Sequence, residues 1–263
     1  MLQYLFSRRF RRTKSRRFPG YYHEIRPRPA LRPRHKSLIR TQRDLTERPV
    51  PLIDLGYPLS NNTPPFPGDP SVEIKILAST AQTGREERQS LNCGQLTLPI
   101  HCATHIDAPY HFYANGPTID QIPLTDCTGP AVLLDLFDLP VIDAQHLSSH
   151  REQLTAHHHA ILHTGWYRQW GEDNFFTEHP VLTAAAAQLL VDCGVHLIGV
   201  DFPSVDRPPH EAHLVLLGNN LLIVENLTNL DAIGPRPFDF SAIPLAIVGR
   251  DGSPVRAFAR IND

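Results

Sequence analysis

Four residues of types that bind metals and move protons crowd into eleven positions of this 263-residue chain. They are His101, His105, Asp107 and His111, within Pro99-Ile-His-Cys-Ala-Thr-His-Ile-Asp-Ala-Pro-Tyr-His-Phe112. Imidazole nitrogens and carboxylate oxygens are usual ligands of zinc, manganese and similar divalent ions. Offsets of 0, +4 and +6, with a further His at +10, make a candidate metal site that brings its own acid/base. On an extended backbone His105 and Asp107 share a face, and His101 has the same parity. Four residues of straight strand span about 13 Å, which is long for two imidazoles on one ion, so the backbone must bend between His101 and His105. Pro109 ends regular pairing and lets the chain turn before His111. Chance is the competing explanation, because the chain holds 15 His and any one of them alone would be read as structural. The four together, amid Leu98, Ile100 and Ile106, are harder to dismiss: buried ionisable groups need partners, and a cation is a common one.

A second region lies a hundred residues on. Val200-Asp-Phe-Pro-Ser-Val-Asp206 is followed by His210-Glu-Ala-His-Leu-Val-Leu-Leu217 and Leu221-Leu-Ile-Val-Glu-Asn-Leu227. Glu225 closes an apolar run, where strand-end site residues are often found. Taken alone, an ordinary solvated acid is the simpler reading. His210 and His213 are both candidate ligands, and the apolar run after His213 would fix its orientation better.

These segments together resemble the cyclase-like metal-dependent hydrolases, which include bacterial kynurenine formamidases and isatin hydrolases. His-x-x-Thr-His-x-Asp-x-Pro-x-His-Phe is similar to the family signature. Pro58-Leu-Ser-Asn-Asn-Thr-Pro-Pro-Phe-Pro-Gly-Asp69 is similar to its N-terminal substrate loop, and His163-Thr-Gly-Trp166 to its central strand-end turn. Asp201-Phe-Pro-Ser-Val-Asp206 and the pair His213 and Glu225 are similar to its C-terminal site. The matches run in family order from about Val50 to the C-terminus. The resemblance implies two metal ions per subunit, zinc by preference and manganese as the alternative. His101 and His105 would bind the first ion, Asp107 and Glu225 would bridge both, and His213 would bind the second. His111 would be the general acid/base, and Phe66 would stand against the substrate ring. The implied reaction is hydrolysis of an aryl amide, foremost the deformylation of N-formylkynurenine in tryptophan breakdown. Hydrolysis of isatin or another small cyclic amide is the alternative. Two positions depart from the family pattern: Ala103 replaces the usual Gly, and Phe66 an aromatic residue that is often Trp.

The elements that must position these residues read as α/β. Period-two alternation marks strands at Ile53-Asp-Leu, Val72 to Leu77 and Gln95 to Ile100. Ala131 to Leu136, Ala160 to His163 and His196 to Val200 read as buried strands, the last two ending at candidate site residues. Thr183 to Gly194 is a helix with a Thr cap and a closing Gly, and Asp143 to Leu154 is a weaker one. His157-His-His159 cannot converge on one site along a regular backbone and reads as a solvated loop. Trp166 and Trp170 fit a pocket wall or the core equally. The resemblance implies a compact single domain around a β-barrel-like mixed sheet, forming a homodimer or higher homo-oligomer.

Charge is uneven along the chain. Residues 1–48 carry fifteen Lys or Arg against three acids, whereas the rest carries ten against twenty-four. The first stretch is Arg- and Pro-rich, has little with which to build a core, and is read as a disordered basic tail preceding a domain over 49–263. Three roles compete for it: an extension from an upstream start, which is favoured, an organellar targeting segment, or an anion-binding arm. In the last case the protein would be a non-catalytic binder of nucleic acid or membrane, and the metal-ligand set argues against that. No run is long enough for a transmembrane helix. The four Cys (Cys93, Cys102, Cys127, Cys193) form no Cys-x-x-Cys pair and suit free thiols in a reducing, cytoplasmic setting. Cys102 is expected as a small buried side chain rather than a ligand.

Overall fold

The computed structural model describes residues 51–79 and 91–262. The tail expected over residues 1–48 lies outside the described residues. In chain order the elements begin with β1 (Leu52–Asp54), β2 (Glu73–Ala78), β3 (Cys93–Thr97) and β4 (His105–Asp107). Then come β5 (Thr128–Asp135), β6 (Val141–Ile142), α1 (Ala144–Ser148), α2 (Arg151–Ala156), β7 (His159–His163) and β8 (Val181–Leu182). The remainder is α3 (Ala184–Asp192), β9 (Leu197–Val200), α4 (Glu211–Gly218), β10 (Leu222–Glu225), β11 (Phe238–Ser241), β12 (Gly252–Pro254) and β13 (Phe258–Ile261).

Nine strands form one mixed, curled sheet in the order β1-β13-β11-β5-β7-β9-β10-β4-β12. Its centre, β5-β7-β9-β10, is parallel, and both flanks are antiparallel. Parallel strands need cover on both faces, which explains the unbroken apolar runs at its centre. Ala160, Leu162, Ile198 and Ile223 pack on one face against Leu190 of α3 and Leu216 of α4. Ile161, Leu197 and Val224 face the other way, where the curl brings Phe240 and Ile261 over them.

The α3 helix starts as its sequence requires: the Thr183 hydroxyl accepts a hydrogen bond from the Ala186 N–H at 3.1 Å, and Gly194 takes a positive φ of 75° after it. The weaker helix is two short ones, α1 and α2, parted at Ser149 and His150.

The strands read from alternation at Val72 to Leu77 and Gln95 to Ile100 are present as β2 and β3, which among the described residues pair only with each other and expose nearly every side chain. Two expectations need correction. His157 to His159 is not wholly a solvated loop, because His159 opens β7 and is buried. His163, at the end of β7, is not at the metal-ligand cluster. Its Nδ1 donates to Asp135 Oδ1 at 2.8 Å.

Candidate active site

Strand pairing assembles the first part of the site. In β4, His105 and Asp107 point to one face, and the antiparallel register sets Glu225 of β10 opposite His105. The bend expected before His105 is present, with Ala103 in the left-handed region at φ 49°. This turns the Ala103 carbonyl inward, where it accepts hydrogen bonds from His105 Nδ1 and Asn226 Nδ2, both at 2.9 Å. The Thr104 hydroxyl donates to the Asn226 carbonyl at 2.6 Å and accepts from the Tyr57 N–H at 3.0 Å, locking the entry of β4 to the exit of β10.

The second part comes from α4. His213 Nδ1 donates to Asp206 Oδ1 at 2.7 Å, and its backbone N–H donates to Asp206 Oδ2 at 2.9 Å. Asp206 therefore fixes the ring and leaves Nε2 free, just as the Ala103 carbonyl does for His105. The two free Nε2 atoms converge on the buried carboxylates. His105 Nε2 lies 3.4 Å from both Asp107 Oδ1 and Glu225 Oε2. His213 Nε2 lies 3.6 Å from Glu225 Oε1 and 4.0 Å from Asp107 Oδ2. Two ligands on one ion, with bonds of about 2.1 Å, sit about 3 to 3.5 Å apart. The donor set of nitrogen and oxygen atoms, and their separations, fit a divalent cation.

His101 joins from the open side. Its Nδ1 is 2.8 Å from Asp107 Oδ1, and its Nε2 donates to Asp251 Oδ2 at 2.7 Å. His111 lies in the 3-10 turn Pro109–His111 that Pro109 starts, with its ring 4.1 Å from that of His101. His111 Nδ1 is 3.3 Å from the same Asp251 oxygen.

The electrostatics follow from burying carboxylates side by side. Asp107 is 1% exposed and Glu225 4%, and two such charges need positive neighbours. Burial opposes protonation of His213, but Asp206 and Glu225 outweigh it and hold its pKa up to about 10. Burial also opposes the charge on His101, which Asp107 and then Asp251 hold up to about 10. Burial raises both carboxyls, yet His101 pulls Asp107, and His105 with His213 pulls Glu225, below the usual range. His111 is pushed the other way, by burial first and by the charges of His101 and His213, against Asp107. It is thus kept neutral and able to accept a proton.

Above the cluster lies a cavity of about 400 Å³ with an aromatic wall of Phe66, Phe112, Trp170 and Phe176. Phe66 meets Phe176 edge-on at 5.6 Å. Trp170 is a wall residue held by stacking on Tyr57 at 3.8 Å, whereas Trp166 packs against the core and donates its indole N–H to the Phe175 carbonyl. His210 also lines the cavity, but its Nδ1 is engaged by Asp206 at 2.8 Å. Cys102 is buried, and all four thiols are free.

The structure therefore brings His101, His105, Asp107, His111, His213, Glu225 and Phe66 to one place. Sequence reasoning missed Asp251, which is 150 residues from His101, and it gave Asp206 no role. The seven-residue spacing from Asp206 to His213 across two prolines was a usable signal for the latter. Nothing local marks Asp251. Asp201, in the same segment, is an anchor: it accepts from the Thr164 hydroxyl and from the Thr164 and Gly165 N–H groups, tying the turn after β7 to the end of β9.

The sequence model of the Cyclase family matches residues 53–207. The kynurenine formamidase of Bacillus cereus is 36% identical over 212 residues, 79% of this chain and 96% of the relative. That of Bacillus anthracis is 35% identical over the same coverage. Among solved structures, isatin hydrolase A from Ralstonia solanacearum aligns with a TM-score of 0.70 at 24% identity, over 81% of this chain and 92% of that one. Isatin hydrolase A from Labrenzia aggregata, bound to benzyl benzoate, aligns at 0.69 and 22% identity, over 81% and 94%. The solved structures speak for the fold, while the family match and the closer relatives speak for descent: the chain belongs to the Cyclase family.

Proposed function

We propose that the protein is a divalent-metal-dependent amidohydrolase that deformylates an aryl formamide of the N-formylkynurenine type. The observation that carries this is the convergence of two oriented imidazoles on a buried carboxylate pair, beneath an aromatic-walled cavity with His111 on its rim. The kinship with kynurenine formamidases favours the formamide over other amides. Within this reading His101, His105, Asp107, His213 and Glu225 would hold the metal, zinc before manganese, and Asp107 and Glu225, between the two sets of imidazoles, would serve a second ion as well as the first.

A divalent cation held there supplies a nucleophilic water at neutral pH and positive charge for the amide oxygen. The chain's own residues do the rest. Phe66, Phe176 and Trp170 hold the aryl ring so that the amide carbonyl faces the carboxylate pair. His111 Nε2 takes a proton from the water whose oxygen bonds to the acyl carbon, then delivers it to the departing nitrogen as the C–N bond breaks, so the amine leaves neutral and the acyl carbon leaves as formate. The buried carboxylates keep the imidazoles fixed while charge moves.

The test is hydrolysis of N-formylkynurenine and isatin side by side, using metal-stripped protein reconstituted with zinc or manganese. Zinc-dependent deformylation is expected. His111→Ala should lower turnover by about 10²- to 10⁴-fold, the usual span for a general acid/base, with metal retained. Asp107→Ala should lose metal and activity together. A metal-free Asp107→Ala protein that keeps full activity would sink the proposal. Preference for isatin would move the substrate to a cyclic amide. The catalytic unit is taken as residues 49–263, so a protein lacking residues 1–48 should keep its turnover.

A further inference from the structure

We propose that Asp251 is a positioning residue that serves two groups at once, orienting His101 toward the metal and His111 toward the substrate. This rests on the reading of His101 as a ligand and His111 as the acid/base.

The geometry is compact. A single oxygen, Asp251 Oδ2, is 2.7 Å from His101 Nε2 and 3.3 Å from His111 Nδ1. The two rings lie 4.1 Å apart, tilted by 30°. His101 donates from both ring nitrogens, to Asp251 Oδ2 and to Asp107 Oδ1 at 2.8 Å; with its Nε2–H held by Asp251, Nδ1 is the nitrogen that would exchange its proton for a metal ion beside Asp107. With its Nδ1–H facing the same oxygen, His111 keeps Nε2 free for proton transfer. A carboxylate behind an imidazole fixes the tautomer, raises ligand basicity and stabilises the imidazolium when it forms. Here one carboxylate stands behind two imidazoles with different tasks.

The loop that carries Asp251 is built to hold it there. The Asp251 carbonyl accepts from the Ala108 N–H at 2.9 Å, and the Arg250 carbonyl accepts from the Ile119 N–H at 2.8 Å. Gly249 N–H donates to Asp120 Oδ1 at 2.9 Å. Gly252 follows in β12, opposite Asp107 of β4. A Cβ on Gly252 would meet the Ile106 carbonyl at 2.6 Å and His101 Cε1 at 3.1 Å. Only glycine lets this loop approach the imidazole so closely. Backbone bonds on either side of Asp251 thus tie it to the segment bearing His101, Asp107 and His111.

The experiment uses the full chain with Asp251→Asn, which preserves size, and Asp251→Ser, which keeps the backbone bonds should the amide disturb folding. Circular dichroism verifies the fold of each. Zinc affinity, read by chelator competition without substrate, should fall about 10- to 100-fold. At saturating zinc, kcat should fall at least tenfold while KM holds. The deciding step repeats Asp251→Asn in a His111→Ala background: the kcat loss should vanish there while the zinc loss persists. Wild-type zinc affinity and kcat in folded variants would overturn the proposal. So would an equal kcat loss with and without His111. A wild-type protein that binds zinc but cleaves no aryl amide would instead sink the proposed reaction. The zinc measurement would still judge the role of Asp251 toward His101.

Discussion

At the scale of single residues, the site depends on one backbone torsion. Ala103 holds φ at 49°, a region where an L-residue other than Gly, Asn or Asp pays about 1–2 kcal/mol. The torsion persists because its carbonyl is used twice, by His105 Nδ1 and by Asn226 Nδ2. Asn226 is itself in the left-handed region, at φ 59°, as Asn tolerates. A positive φ favours Gly, and the two hydrogen bonds to the Ala103 carbonyl account for the site holding together with Ala there. Ala103→Gly should fold, bind metal and turn over like the parent, its relief of strain offset by the greater freedom glycine has when unfolded. Ala103→Val should behave otherwise. A β-branched side chain at positive φ, in a position 5% exposed, should cost at least about 2 kcal/mol. It should also release the His105 ring. Urea denaturation and zinc affinity of the two variants check this, and a Val variant with parental zinc affinity would refute the link from torsion to ligand.

At the scale of elements, two helix caps are joined where sequence patterns showed only one. The Thr183 hydroxyl caps α3 and also donates to Asp143 Oδ1 at 2.7 Å. Asp143 caps α1, accepting from the Ala144 N–H at 2.8 Å. The parallel pair β6 and β8, with Val141 opposite Val181, brings the caps together. Thr183→Ala should therefore cost about 2 kcal/mol, the upper end for a cap, because it also leaves Asp143 without its hydroxyl donor. Asp143→Ala in the Thr183→Ala background should then cost less than it does alone, and additive losses in a double-mutant cycle would count against a shared cap. The contrast shows what was legible. The Thr cap, the closing Gly and the buried runs of β5, β7 and β9 are local signals, and each led to an element. The strands β11, β12 and β13 were not read, although Phe238-Asp-Phe and Phe258-Ala-Arg-Ile alternate, because each is three or four residues long and set among Pro and Gly. Strands β11 and β13 belong to one flank, and β12, the edge strand beside β4 on the other, follows directly on Asp251 and places it, so the carboxylate invisible to motif reading adjoins a strand invisible to pattern reading. The metal-ligand candidates were legible because their types and spacings are local. The shared face of His105 and Asp107 was legible too, but not that Glu225 joins it, since that depends on the register between β4 and β10, over a hundred residues apart.

At the scale of the whole molecule, the sheet that aligns the site also buries a charge-sensitive group far from it. His159 opens β7 with 2% exposure, and its Nδ1 has no hydrogen-bond partner. Burial, together with the charges of His158 and His196, pushes its pKa down to about 4, with Asp126 opposing. An unfolded histidine titrates near 6.5. Between these values the unfolded chain binds a proton that the native one refuses, so stability rises with pH across the window. The contribution is complete above pH 6.5 and is lost as pH falls toward 4. It amounts to about 3 kcal/mol in all, of which about 2 kcal/mol has gone by pH 5. His159→Gln removes the titration and retains a side chain able to hydrogen-bond near Asp126. The variant should be close to the parent in urea at pH 7 or somewhat less stable, and should lose about 2 kcal/mol less than the parent between pH 7 and pH 5. The acid-side histidines of the metal cluster are common to both proteins and cancel in the comparison. Equal losses in parent and variant would mean that β7 opens, or admits water to His159, well before the sheet unfolds. In that case the strand leading to the turn that Asp201 anchors would be far looser than its burial implies.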